Sequence, residues 1–200
     1  MKRIVRRKPF LVIIIATIIV MSAWGTCELT ATPTSVDNMY TNDSRVFHHL
    51  SVNQNQAIVS IEGDRLFPLG GSYSMCTFIN QTPFTAQSTN PLTVITSMAI
   101  SYKLIAYLGH ANIIIEYRLY DADFDELDAT IVYSDNILFG IKANTTAITT
   151  AKTFEYTSQE NQVYYIGVSM RVELSGFASI GGLHDESPAA LVLSSLMVII

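Results

Sequence analysis

The densest run of side chains able to do chemistry is Asp121-Ala122-Asp123-Phe124-Asp125-Glu126-Leu127-Asp128. Carboxylates at alternating positions converge on a hard cation when a loop folds around it, since Ca²⁺ takes six to eight oxygens. Asp121, Asp123, Asp125 and Asp128 are therefore the candidate ligands for Ca²⁺, the one cofactor the sequence raises. The run is not an EF-hand, because Glu126 stands where that loop needs Gly and Val132 where it needs Glu. Its plainer reading is a solvated acidic loop between two strands.

The other reactive residues are scattered. His48 and His49 are adjacent, so on a strand they point to opposite faces; His110 and His184 stand alone. Neither Gly-x-Ser-x-Gly nor His-Glu-x-x-His nor a phosphate-cradling glycine loop occurs. The chain is thus read as a non-enzyme, a secreted hydrolase being the weakest alternative. Cys27 and Cys76 are the two cysteines, with no metal-site spacing. In an oxidising compartment they would form one disulfide, adding on the order of 4 kcal/mol by closing a loop of about 50 residues. Asn42, Asn80 and Asn144 each begin an Asn-x-Ser/Thr triplet, and all three are expected in turns or in the N-terminal arm, where an exported chain accepts a glycan.

The ends of the chain explain why export is expected. Residues 2–8 hold five of the 12 basic residues, an apolar run follows over 10–20, and Ala23 and Gly25 supply small side chains for cleavage after Gly25. Residues 1–25 read as a secretory signal, and the apolar run is short for a membrane-spanning helix. The remainder carries seven basic residues against all 17 acidic ones, a net of −10. Such a domain is repelled by phosphate backbones, which excludes nucleic acid as partner, and by anionic lipid head groups. Membrane contact is expected only through the signal or the C-terminal tail.

That tail, residues 184–200, ends in an apolar segment carrying Leu191, Leu193, Leu196 and Val198, too short to span a bilayer as a helix. Three readings stay open: a GPI-attachment signal cleaved near residues 179–182, a strand buried in its own or a neighbour's sheet, or an ordinary final core element.

Between the ends lie a Thr/Asn-rich arm at 26–56, holding at most an edge strand, and a body at 57–183 with period-two patterning. Ala57, Val59 and Ile61 share a face. So do Met98, Ile100, Tyr102, Leu104, Ala106 and Leu108; Ile113, Ile115, Tyr117 and Leu119; Ile137, Phe139 and Ile141; and Tyr164, Ile166, Val168, Met170, Val172 and Leu174. Turn signals at Gly63-Asp64, Gly70-Gly71, Gly109-His110, Ser134-Asp135-Asn136 and Glu160-Asn161 separate the runs. The fold expected is all-β, an antiparallel sandwich or jelly roll of about 8–10 strands. The function expected is that of a secreted or cell-surface structural or adhesive glycoprotein, a filament or surface-layer subunit that self-associates by strand donation. The alternative is a lipid-anchored module that binds a surface protein or glycan.

Overall fold

The computed structural model describes residues 46–53, 56–79, 83–87, 89–183 and 188–199. They form eight antiparallel strands: β1 (Val46–Asn53), β2 (Gln56–Ile79), β3 (Phe84–Thr85), β4 (Pro91–Tyr120), β5 (Glu126–Ile137), β6 (Gly140–Thr157), β7 (Val163–Gly181) and β8 (Ala189–Ile199). The all-β antiparallel expectation holds. The expected signal segment and most of the expected arm lie outside the described residues; β1 supplies the edge strand and pairs along β2.

The eight strands match the expected number but are longer than the sequence pattern implies. β4 runs for 30 residues, where strands are usually 3–10 long. It is flanked on one side by β6 and then β5, and on the other by β8 and then β7. β5 and β6 run end to end, broken only at Leu138-Phe139; β7 and β8 run end to end, broken over 182–188. The sheet is in effect four long ribbons, β2, β7–β8, β4 and β5–β6, with β1 at one edge.

All four ribbons bend at one level. Tyr107 is an extra residue on β4, between the pairs Ala106–Ala178 and Leu108–Phe177. Residues 67–70 of β2 stand opposite Gly176 alone, and the β5–β6 break faces residues 107–110. At the crease Gly109 pairs with Gly176. Gly176 has φ +66°, and a Cβ there would lie 1.5 Å from the Leu108 carbonyl oxygen. Only glycine lets two backbones meet so closely in that conformation.

The crease folds the sheet onto itself as a sandwich. Thr96 and Tyr117 are 21 residues apart on one strand, roughly 70 Å if it were straight, yet their hydroxyls hydrogen-bond at 2.5 Å. The extra residue also switches β4's inward phase. Even positions from Leu92 to Ala106 are buried before the bend, and odd positions from Ala111 to Leu119 after it, while β7 keeps one phase throughout. Leu108, assigned by period to the inner face, is therefore exposed, as are Phe139 and Ile141 beside the β5–β6 break. The glycines read as turns at Gly70-Gly71 and Gly109 are bends inside strands. Gly63-Asp64 and residues 134–136 also lie within strands, and only Glu160-Asn161 is a true turn.

The apolar tail is a central strand. β8 pairs with β2 on one side and β4 on the other, and Leu191, Leu193, Leu196 and Val198 are buried in the common core. The sandwich thus continues through residue 199, and of the readings left open for the tail, the structure shows a strand in its own sheet.

Truncating Leu191, which is 0% exposed, to Ala should cost about 2–5 kcal/mol, the range for a buried leucine. A loss in this range on urea titration is the expected outcome. A loss near zero would mean that β8 is dispensable to the core.

Candidate functional site

The fold over the crease returns both ends of β4 to the same end of the molecule, opposite the bend. There the β4–β5 loop (residues 121–125) meets the β6–β7 turn (residues 158–162). Asp121 organises the first. One of its oxygens, Oδ1, accepts the backbone N–H groups of Asp123 and Asp125, both at 2.9 Å, and its own N–H donates to the Asp125 carbonyl at 3.0 Å. Phe124, at the tip, takes φ +64° and stacks on Tyr165 with ring centroids 4.5 Å apart. In the second, the Ser158 hydroxyl donates to the Asn90 carbonyl at 2.7 Å. The Asn161 N–H donates to the Ala86 carbonyl at 2.8 Å, and the Gln159 N–H to the Tyr164 hydroxyl oxygen at 2.8 Å. The first loop is fixed by bonds within itself, the second by bonds to residues 86 and 90 and to Tyr164.

Between them opens a cavity of about 220 Å³, with Asp121, Asp123, Gln159, Gln162, Tyr156 and Tyr164 among its lining. The Tyr156 and Tyr164 rings pack edge to face at 6.2 Å, and Phe84 stacks behind Tyr164 at 5.7 Å. Burial, the Tyr164 hydroxyl and the nearby Asp121 charge push the Tyr156 phenol above its ordinary range, so it stays neutral. The lining thus combines carboxylate acceptors, amides that both donate and accept, phenol hydroxyls and aromatic surface. That combination grips a compact ligand bearing several hydroxyls around an apolar frame, where paired donors and acceptors meet adjacent hydroxyls and ring faces cover C–H groups.

The four aspartates meet different fates. Asp121 and Asp123 line the cavity. Asp128 does not join them: its Oδ1 accepts the Ala129 N–H at 2.7 Å and its Oδ2 the Tyr156 N–H at 2.8 Å, which ties β5 to β6. Among the described residues no three His, Cys, Asp or Glu side chains are grouped to hold a metal ion. Asp121 spends an oxygen on its own loop, and Asp128 is held within the strand.

Asn144 lies in β6, not in a turn, and its Nδ2 donates to Tyr133 Oη at 3.2 Å and Tyr102 Oη at 3.4 Å. Asn42, Asn80 and Cys27 fall outside the described residues. Cys76 is a buried thiol, raised by desolvation to about 11. His110 Nδ1 sits 2.7 Å from Ser175 Oγ, and that same oxygen accepts the His110 backbone N–H at 3.0 Å. This pair staples the crease beside Gly176.

Period reading missed two polar clusters. On the outer face of the second half of β4, Glu116 and Arg118 are buried although they oppose the core phase. Glu116 meets Arg118 at 2.8 Å and Arg171 at 3.1 Å, and Arg118 also pairs with Glu126. Their alternation with Ile115, Tyr117 and Leu119 reads as solvent exposure, so a period count gives no sign of this burial. Near the crease, Tyr102 on β4 bridges the layers: its hydroxyl donates to Asp135 and lies 2.6 Å from that of Tyr133, both on β5. Lys142 pairs with Asp135 from β6. Burial raises the Tyr102 phenol far above its ordinary value, reinforced by Asp135 and Tyr133. Burial would raise Asp135 too, but Lys142 and the Tyr102 hydroxyl outweigh it and hold that carboxyl below the usual range.

No family model matches the sequence, and no curated protein matches it. Among solved structures, a family 11 carbohydrate-binding module from Clostridium thermocellum, in complex with a β-1,3-1,4-mixed-linked tetrasaccharide, overlaps 81% of this chain and 87% of its own. It is 12% identical, at TM-score 0.30. The CBM22-1 xylan-binding domain of Paenibacillus barcinonensis Xyn10C overlaps 87% of this chain and 91% of its own, at 11% identity and TM-score 0.26. The enzymatically active domain of bacteriophage CBA120 tailspike protein 4 overlaps 86% of this chain and 21% of its own, at 8% identity and TM-score 0.27. Superpositions this loose place the chain in no family and carry no ligand to it.

The Asp135 latch sets a sign for acid sensitivity. A carboxyl lowered on folding stabilises the fold above its unfolded value, near 3.8, and that stability is lost as pH falls through the folded value. Asp135→Asn should therefore flatten the fall in urea stability below about pH 5. Parallel wild-type and variant curves through the acid range would show that the latch does not couple to folding.

Proposed function

We propose that this chain is an exported, non-catalytic β-sandwich module whose loop-end cavity binds a polyhydroxylated ligand of the glycan class. The observation that carries the reading is the lining itself: Asp123, Gln159 and Gln162 beside the Tyr156–Tyr164 pair, in an open cavity whose walls are fixed before any ligand arrives. Such prior ordering lowers the entropy cost of binding. Asp121 holds its own loop with one oxygen, so the arrangement suits recognition better than proton transfer by two matched carboxyls. The basic, apolar and small-residue succession at 2–25 supports export.

The test is affinity electrophoresis of the protein against a panel of soluble polysaccharides of different linkage. Retardation by at least one polymer is expected, weakened about tenfold (~1.4 kcal/mol) in Tyr156→Ala and Gln162→Ala. Unaltered mobility on every polymer, or retardation that both variants keep, would remove the cavity from the function.

A second reading, a subunit that assembles by strand exchange, is favoured by one observation. β8 fills the slot between β2 and β4 after residues 182–188, so the same strand from another copy would make the same pairs. Light scattering after size-exclusion chromatography should then show dimers or larger species whose share rises with concentration. A strictly monomeric protein at all concentrations rules the exchange out. The anchored alternative fits poorly, because cleavage near residues 179–182 would remove β8 and leave residues 57–61 of β2 and 93–101 of β4 without partners on that side.

A further inference from the structure

The crease exposes an apolar ridge. Tyr107 and Leu108 on β4, Leu138 and Phe139 at the β5–β6 break and Ile141 on β6 are 50–75% exposed. They adjoin one another: Tyr107 and Phe139 meet edge to face at 6.1 Å, and Ile141 pairs across the strands with Ile105. We propose that this ridge inserts into the interfacial zone of a lipid bilayer and seats the module on a membrane with its cavity facing away.

Shape, area and charge favour lipid over protein as the occupant. The ridge lies on the outside of a fold in the sheet, so it is convex and offers no groove for a partner segment. Its five side chains present on the order of 600 Å², at about 180 Å² for a full side chain, short of the ~800 Å² per partner of a stable protein interface. A fluid surface needs no matching shape. Tyr and Phe beside Leu and Ile are the side chains that settle at the boundary between head groups and acyl chains. Lys103 lies two residues before Ile105, on the same face of β4. Its apolar stem can lie along the ridge while its ammonium group reaches lipid phosphates.

Asp135, on the neighbouring strand, is already neutralised by Lys142. The domain's net negative charge opposes an anionic surface, so the lipid is zwitterionic, of the phosphatidylcholine type. The ridge lies at the middle of β4 and the cavity just beyond its end, separated by 11 residue steps of strand from Gly109 to Tyr120, roughly 36 Å. Insertion therefore leaves the cavity clear of the head groups.

The chain's single tryptophan is Trp24, which permits a local reporter. The full-length protein carrying Trp24→Phe and Phe139→Trp, mixed with phosphatidylcholine vesicles, should show a blue shift of tryptophan emission and strong quenching when the acyl chains are brominated. A further Leu108→Ser and Leu138→Ser pair should abolish both. In the otherwise wild-type chain, Leu138→Ser with Phe139→Ser should weaken vesicle binding at least about tenfold. These positions are exposed, so the variants should keep the wild-type urea midpoint. Emission unchanged by vesicles would overturn the proposal. So would a blue shift that appears without vesicles and grows with protein concentration, which would assign the ridge to a second copy of the chain. So would quenching that survives the serine pair, which would report contact through another segment. No polysaccharide is present in the assay, so its result is independent of the cavity's ligand.

Discussion

The close approach of Gly109 and Gly176 is the constraint on which the rest of the molecule depends. Two backbones that meet with 1.5 Å between a notional Cβ and a carbonyl oxygen tolerate no side chain. The crease can form only where both strands carry glycine in register. Once it forms, one long sheet becomes two layers, and a face that would otherwise be open to water is buried against itself. The hydrophobic gain of that burial drives the fold; the glycines decide where the sheet turns. Tyr107 completes the arrangement, because without one extra residue the second half of β4 would turn its polar side chains inward.

Much of this was legible in the sequence. Period two identified the inner residues of β2, of both halves of β4 and of β7, since each run packs one face on a common core. What period two could not show is that several runs belong to one strand. A glycine bend inside a strand and a glycine turn between strands have the same local composition, and only pairing across the sheet tells them apart. The phase error at Leu108 and the misplaced faces of Phe139 and Ile141 share this cause. The tail was ambiguous for a related reason: an unbroken apolar run suits a strand covered on both sides and also suits a processing signal, and β8 is recognisable as the former only once β2 and β4 are seen to leave a slot for it.

The site was half legible. The acidic loop drew notice as a cluster of carboxylates, and two of its members do line the cavity. Their companions, Gln159, Gln162, Tyr156 and Tyr164, lie some 30 to 40 residues further on and carry no pattern that ties them to residues 121–123. They come together because β5 and β6 form one ribbon that doubles back along β4 and delivers the β6–β7 turn next to the β4–β5 loop. Asp121 shows why composition alone misleads: a carboxylate that caps its own turn has an oxygen committed before any ligand or ion arrives.

The two ends of the molecule are unequal by construction. Strand termini gather at one end, and their connecting loops are free to vary in length and in side chains without disturbing the core. The cavity lies there. At the crease the backbone has no such freedom, because glycine contact and register fix it, and the links are as short as Leu138-Phe139. Side chains at a tight bend have little neighbouring structure to cover them, so polar residues would be the neutral choice. This chain instead places Tyr107, Leu108, Leu138, Phe139 and Ile141 there, while Glu116 and Arg118, two charged side chains on the same strand, are buried and paired. Solubility alone would favour the opposite assignment, so the apolar crease is a feature that needs a role in binding, whereas an apolar face turned toward the core needs none.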